Sequence, residues 1–367
     1  MRIFWIFCLL CWPGLLVAQS TEGMGQSKEQ MAQSTEQKVR SFLLAEMKAR
    51  RIPGLQAAVI RHGHIILQVS MGLANAEDLT PVSDRTVFPV RSVTKALTGV
   101  AILQLAEAGR IDISAPLSRY LDSLPALWGQ VTIQQLLTHT SGLPDCWDGN
   151  DRMPDPDEDL AWAKVLRKPV GFVPGKGFGF AQTNYILLGR LIEKLSGRSF
   201  AEFIKEHQFA VAGMVRSGFG DSRDVVAELS PDYWYSRYVH DSTQPATDLQ
   251  VNLRVWPSYL LPSVGLYTSA GELAQWALAL EGGRLLSAGS LKILWTPETA
   301  SLTEDGGYAM GWSVTTKVSS RRIMASGGQK AVLVIYPDED LGVIVVTNLL
   351  SSSPELTAAA VAKFFTR

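Results

Sequence analysis

A chain of 367 residues, 46% hydrophobic and 19% charged, has apolar material for one large core or for a domain carrying an inserted lobe. A formal net charge of -1 gives no electrostatic footprint for nucleic acid or for an anionic membrane surface. No internal repeat at solenoid spacing is present.

The first eighteen residues read as a signal peptide: Arg2 is the positive region, Ile3 to Cys11 the apolar region, and cleavage is expected after Ala18. The apolar run is short for a membrane span, so the mature chain is expected to hold none, the alternative being that the leader stays uncleaved as a membrane anchor. Cys8 and Cys11 fall inside that leader, which leaves Cys146 alone and excludes an internal disulfide. The expected location is therefore the periplasm or the outside of the cell.

Residues 19–35 are polar and read as a linker, so the folded domain is expected over 36–367. Helical spacing of Val39, Phe42, Leu43 and Met47 predicts a helix over Glu36–Arg51. Two strands follow, Leu55–Arg61 and Ile65–Met71, joined at His62-Gly63-His64. Those histidines read as a solvated turn, because no further ligand stands at metal-binding spacing, and no cofactor is called for. A buried helix is predicted over Val93–Ala108 and ends at Gly109.

The middle, roughly 111–280, reads as a mainly helical lobe with proline-bearing connectors at 143–156 and 169–176. Strands are then predicted at Tyr308–Val314, Arg322–Ala325, Val332–Tyr336 and Gly342–Thr347, and a last helix at Pro354–Phe365. The fold class is therefore mixed α/β (α+β). One antiparallel sheet is built from both chain ends and covered by helices, and the helical lobe is inserted between them.

Chemistry enters at "FPVRSVTKALTG", which sets Ser92 three residues before Lys95 at the start of the buried helix. That spacing puts hydroxyl and amine on one helix face. Burial lowers a lysine pKa, and a neutral amine can take a serine proton. The helix start adds free N–H groups for a developing oxyanion. Ser-x-x-Lys also arises by chance, with the serine as a simple cap.

The surrounding text resembles the serine β-lactamase and penicillin-binding-protein-like family, in its class C β-lactamase, esterase and D-aminopeptidase-like branch. The stretches that carry the resemblance are "SVTKALTGVAILQLAEAGRIDISAPLSRYL", "VTIQQLLTHTSGLPD", "GLYTSAGELAQWALAL", "YAMGWSV" and "LGVIVVTN", which together sample most of 36–367. The resemblance implies a β-lactamase/transpeptidase-like fold with the site in a cleft between sheet domain and helical lobe. It implies acyl transfer through an acyl-Ser92 intermediate, with Lys95 as base.

Two further family motifs are altered. In "PGKGFGFAQTNYILLGRLIE" the register places Phe180 where the family has tyrosine and Gln182 where it has asparagine. Shifting to Asn184 breaks the match at Tyr185. In "RRIMASGGQKAVLVIYP", Ser326-Gly327-Gly328 fits the strand motif, while Ala325 stands where lysine or histidine belongs. Gln182, Ser326 and Gly327 are the expected substrate-binding positions.

His139 reads as a brace for its loop, and Arg91 as a stand-in for the missing cation or as a partner in a salt bridge. The aromatics Tyr233, Trp234, Tyr235, Tyr238, Trp256 and Tyr259 read as a pocket wall or as glue for an irregular loop. The expected function is exported serine hydrolysis of an ester or peptide-like substrate, slowed by Phe180 and Ala325. The alternative is an impaired relative that binds a peptidoglycan-derived or peptide ligand in the same cleft.

Overall fold

The computed structural model describes residues 16–147, 155–236, 248–253, 255–316 and 321–366. The apolar leader up to residue 15, connector residues 148–154 and Tyr238 lie outside the described residues.

The chain falls into two compact units, residues 1–45 and 46–367. The first is described from Leu16 onward as helix α1 (Leu16–Arg50), whose last turn belongs to the second unit. The helix expected from Glu36 thus begins at Leu16 and takes in the polar stretch 19–35. Gln, Glu, Lys and Met there are good helix formers even where no apolar face exists to bury. Among the described residues no helix is long and apolar enough to cross a membrane.

In the second unit, both chain ends build one sheet. Its strands are β1 (Gly54–Arg61), β2 (His64–Asn75), β3 (Thr80–Pro81), β4 (Gly306–Tyr308), β5 (Ser313–Thr315), β6 (Arg322–Gly327), β7 (Ala331–Tyr336) and β8 (Leu341–Thr347). The eight-stranded order is β3-β2-β1-β8-β7-β6-β5-β4. Every neighbouring pair is antiparallel. The seam joining the two ends runs from Leu55↔Thr347 to Arg61↔Leu341. β7 and β8 are buried at every residue, which is why they read as unbroken apolar runs rather than alternating ones.

The expected single strand Tyr308–Val314 is instead a hairpin, with Tyr308 opposite Ser313. Gly311 (φ +91°) reverses the chain there. A β-carbon on it would lie 2.6 Å from the Lys95 carbonyl oxygen, so the turn packs directly on the helix that follows Ser92. That helix is α2 (Thr94–Glu107), preceded by a 3-10 turn at Arg91–Val93.

The middle stretch holds α3 (Gln182–Ser196) and shorter helices, and also two small sheets. One joins Phe88–Pro89, Leu266–Thr268 and Gly218–Phe219, and the other pairs Tyr233–Ser236 with Asp248–Val251. Its last helix, α4 (Ala270–Glu281), lies against the sheet: the Ala270 N–H donates to Gln56 Oε1 of β1 at 2.9 Å. The stretch 111–280 is therefore less purely helical than its sequence suggests. Short strands such as Leu266–Thr268 carry too few residues to show a period of two. The C-terminal helix, α5 (Pro354–Ala362), also packs on β7 and β8.

Candidate active site

Ser92 sits in the tight turn that opens α2. The turn needs Arg91 in the left-handed region (φ +54°), which is strained for an arginine. Buried contacts hold it there. The Arg91 guanidinium pairs with Asp232, and Asp232 also receives the Lys330 ammonium. All three side chains are buried. Burial alone would raise the Asp232 pKa, but Lys330 and Arg91 bring it below the ordinary carboxylate value. Arg91 therefore forms a salt bridge behind the serine rather than filling the space of a missing pocket cation. On the other side, strand β6 comes so close that a β-carbon on Gly327 would lie 2.0 Å from the Val90 carbonyl oxygen and 2.8 Å from the Ser92 nitrogen. Glycine is the residue that permits this approach.

One helical turn on, Lys95 is 1% exposed. Its Nζ lies 3.3 Å from Ser92 Oγ, 2.8 Å from Gln182 Oε1 and 3.0 Å from the Ser263 carbonyl oxygen. The Phe180 and Tyr185 rings lie 4.9 Å and 5.3 Å from the same atom. Burial pulls its pKa from 10.5 down to about 7, partly opposed by Asp145 and Cys146 nearby. Asp145 anchors the start of α3 by accepting the Gln182 N–H at 2.9 Å, and burial raises its pKa. Burial and Asp145 push the Cys146 thiol up to about 12, which leaves it unreactive at neutral pH.

Gln182, not Asn184, reaches the lysine. Asn184 is fully buried, with its Nδ2 at 2.9 Å from His139 Nδ1 and its Oδ1 accepting from Ser141 Oγ at 2.7 Å. The expected role of Gln182 changes in one respect. Its oxygen is engaged by Lys95, so only the amide NH2 is left to meet a substrate. His139 braces the loop: its Nδ1 accepts the Ala181 N–H at 3.2 Å, and its ring centroid lies 4.3 Å from that of Phe180 with the planes tilted by 34°. Burial, with Lys95 adding to it, holds His139 neutral.

Ser92, Lys95, Phe178, Phe180, Tyr308, Ser313, Met324, Ser326, Gln329 and Glu355 line one cavity of about 380 Å³, with Gly311 and Gly328 completing its wall. Ser326 stands in it as expected. Gly327 does not line it and instead packs against the backbone of the turn that holds Ser92. Ala325 is 1% exposed and also absent from the lining. Phe180 is 47% exposed at the rim and brings no hydroxyl.

None of Tyr233, Trp234, Tyr235, Trp256 and Tyr259 lines this cavity. Tyr235 and Tyr259 fasten separate segments, Tyr235 donating to the Arg51 carbonyl and Tyr259 to that of Asp155, while Trp256 lines a different cavity. Sequence reasoning missed Asp145, Asp232, Ser263, Lys330 and Glu355; Asp145 and Lys330 stand inside quoted stretches, whereas nothing in the sequence marks the other three. Tyr308 had a usable signal, since it opens the "YAMGWSV" stretch.

The family described as Beta-lactamase matches residues 39–366. PbpX of Bacillus subtilis (strain 168), which carries a penicillin-binding-protein name, is 31% identical over 261 residues. The match covers 70% of this chain and 61% of that protein, so the chain spans less than two thirds of its relative. The solved penicillin binding protein from Bacillus halodurans is 28% identical with a TM-score of 0.74, covering 88% of this chain and 98% of that one. The octameric penicillin-binding protein homologue from Pyrococcus abyssi is 25% identical with a TM-score of 0.75, covering 89% and 76%.

Proposed function

The chain belongs to the Beta-lactamase family, and on that premise we propose that it is a serine hydrolase acting on an ester or amide through Ser92, with Lys95 as base. The observation that carries the proposal is the environment of the Lys95 amine. A neutral amine has two N–H groups and one lone pair. The Gln182 oxygen and the Ser263 carbonyl accept the two N–H groups, which leaves the lone pair for the Ser92 hydroxyl proton at 3.3 Å between heavy atoms. A pKa of about 7 keeps roughly half of the amine neutral at neutral pH.

In the first step Lys95 takes the proton as Ser92 Oγ bonds to the substrate carbonyl carbon. The oxyanion meets the Ser92 N–H at the start of α2 and the backbone at the end of β6. The carbonyl's bond to its leaving group breaks, and Lys95 returns the proton to that group. Water then repeats the sequence on the acyl-serine. In this chain Lys95 performs both transfers, because Phe180 supplies no second proton carrier.

A fluorophosphonate probe tests the reading by mass spectrometry. It should add to the wild-type protein and not to Ser92→Ala. No adduct on a folded wild-type chain would sink the hydrolase and favour the second reading, a non-catalytic ligand-binding protein, for which Phe180 is the supporting observation. We also take the apolar leader to direct export, with N-terminal sequencing of protein recovered outside the cytoplasm as the check.

A further inference from the structure

The charges of the cavity are unusual for a site whose family resemblance implies a lysine or histidine facing the serine. Two lining residues carry ionisable charge, Lys95 and Glu355. Lys95 is itself about half neutral at pH 7. The position expected to hold a cation is Ala325, buried and off the lining. Lys330 and Arg91 are paired with Asp232 and do not line the cavity.

Glu355 is half-buried, and among the described residues it forms no ion pair. It stands in the first turn of α5, whose neighbouring Pro354 and Thr357 are buried, so its backbone is held in place. The other polar lining groups, Ser313, Ser326 and Gln329, are neutral. Phe178, Phe180 and Tyr308 form an aromatic wall. A carboxylate-bearing substrate would meet a like charge here, whereas a cation would meet Glu355 and the faces of aromatic rings.

We propose that Glu355 selects substrates bearing a fixed positive charge, such as an ammonium group on the acyl part of the ester or amide. This rests on the serine-hydrolase reading of the same cavity. Glu355 acts on binding and orientation, while Ser92 and Lys95 act on the carbonyl.

The test uses two 4-nitrophenyl esters of equal shape, of 4-(trimethylammonio)butyric acid and of 5,5-dimethylhexanoic acid, which differ by one charge. With the full chain, kcat/KM for the cationic ester should exceed that for the neutral one by about two- to fivefold, the range of one partly exposed ion pair. The ratio should fall toward one in Glu355→Gln and below one in Glu355→Lys. A wild-type ratio near one, or a ratio unchanged in both variants, overturns the proposal while Ser92-dependent turnover leaves the hydrolase reading standing. If neither ester is turned over, the probe adduct at Ser92 still decides the hydrolase reading, and calorimetry of the cationic ester with Ser92→Ala decides this one. Binding that Glu355→Lys weakens at least fivefold supports the proposal, and binding that it leaves unchanged overturns it.

Discussion

Replacing Lys95 by methionine should stabilise the protein while abolishing its activity, and the sign of the stability change should depend on pH. A fall in pKa from 10.5 to about 7 makes the ammonium about 5 kcal/mol costlier in the fold than in the unfolded chain, at about 1.4 kcal/mol per tenfold in proton affinity. At pH 7 about 4 kcal/mol of that is felt, because the folded amine is then half neutral and the unfolded one fully charged. Methionine has similar volume and no charge to bury. It leaves Gln182 Oε1 and the Ser263 carbonyl without their donor, which costs about 1–2 kcal/mol. The net gain at pH 7 is about 2–3 kcal/mol.

Between about pH 7 and 10.5 the unfolded chain binds more protons at this site than the folded one. Wild-type stability therefore rises with pH at about 1.4 kcal/mol per unit from this group, and the variant lacks that gain. The advantage of the variant should shrink through this window and invert at about pH 9. Urea unfolding of both proteins at a series of pH values measures it, and titrations common to both cancel in the difference. A methionine variant less stable than wild type at pH 7, or a difference independent of pH, would refute the account of Lys95 as a desolvated base.

The same titration sets activity. Hydrolysis needs the neutral amine, so kcat/KM should fall about tenfold per pH unit below about 7 and level off above it, read from initial rates on a neutral ester. Phe180→Tyr adds a hydroxyl to a ring that lies 4.9 Å from Lys95 Nζ, and should raise kcat about 10- to 100-fold by giving the leaving group a second proton route. An unchanged kcat in the folded variant would mean that the new hydroxyl does not reach the serine. Asp232→Ala strands two buried cations, Arg91 and Lys330, and should cost about 3–5 kcal/mol in urea unfolding. A loss under 1 kcal/mol would argue that the three charges do not hold the turn before Ser92.

Much of the architecture was legible because its signals are local. The apolar runs at 55–61, 332–336 and 342–347 are strands in one sheet, and the run after Ser92 is a buried helix. The strand predicted across Tyr308–Val314 was misread for a local reason too. Gly311 stands in an apolar-aromatic run, and only its contact with the Lys95 backbone shows that the chain must turn there. The polar stretch 19–35 shows that composition alone does not report backbone state, since residues poor at building a core still form helix.

By itself the sequence determined that Ser92 and Lys95 lie within one helical turn of each other, and the family resemblance set the register that puts Gln182 rather than Asn184 at the motif position. Spacing along a helix dictates such neighbours without further information. Tertiary structure decided everything that depends on what arrives from elsewhere in the chain. Burial turns a surface-seeking ammonium into an amine with a pKa of about 7, while Gln182 and Ser263 accept its N–H groups. Asp232 fastens Arg91 behind the serine, and Glu355, from the last helix, meets Ser92 across one cavity. Burial and electrostatic company are sums over neighbours in space, and residues 141 and 263 positions away from Arg91 and Ser92 leave no trace of their nearness in the order of the chain.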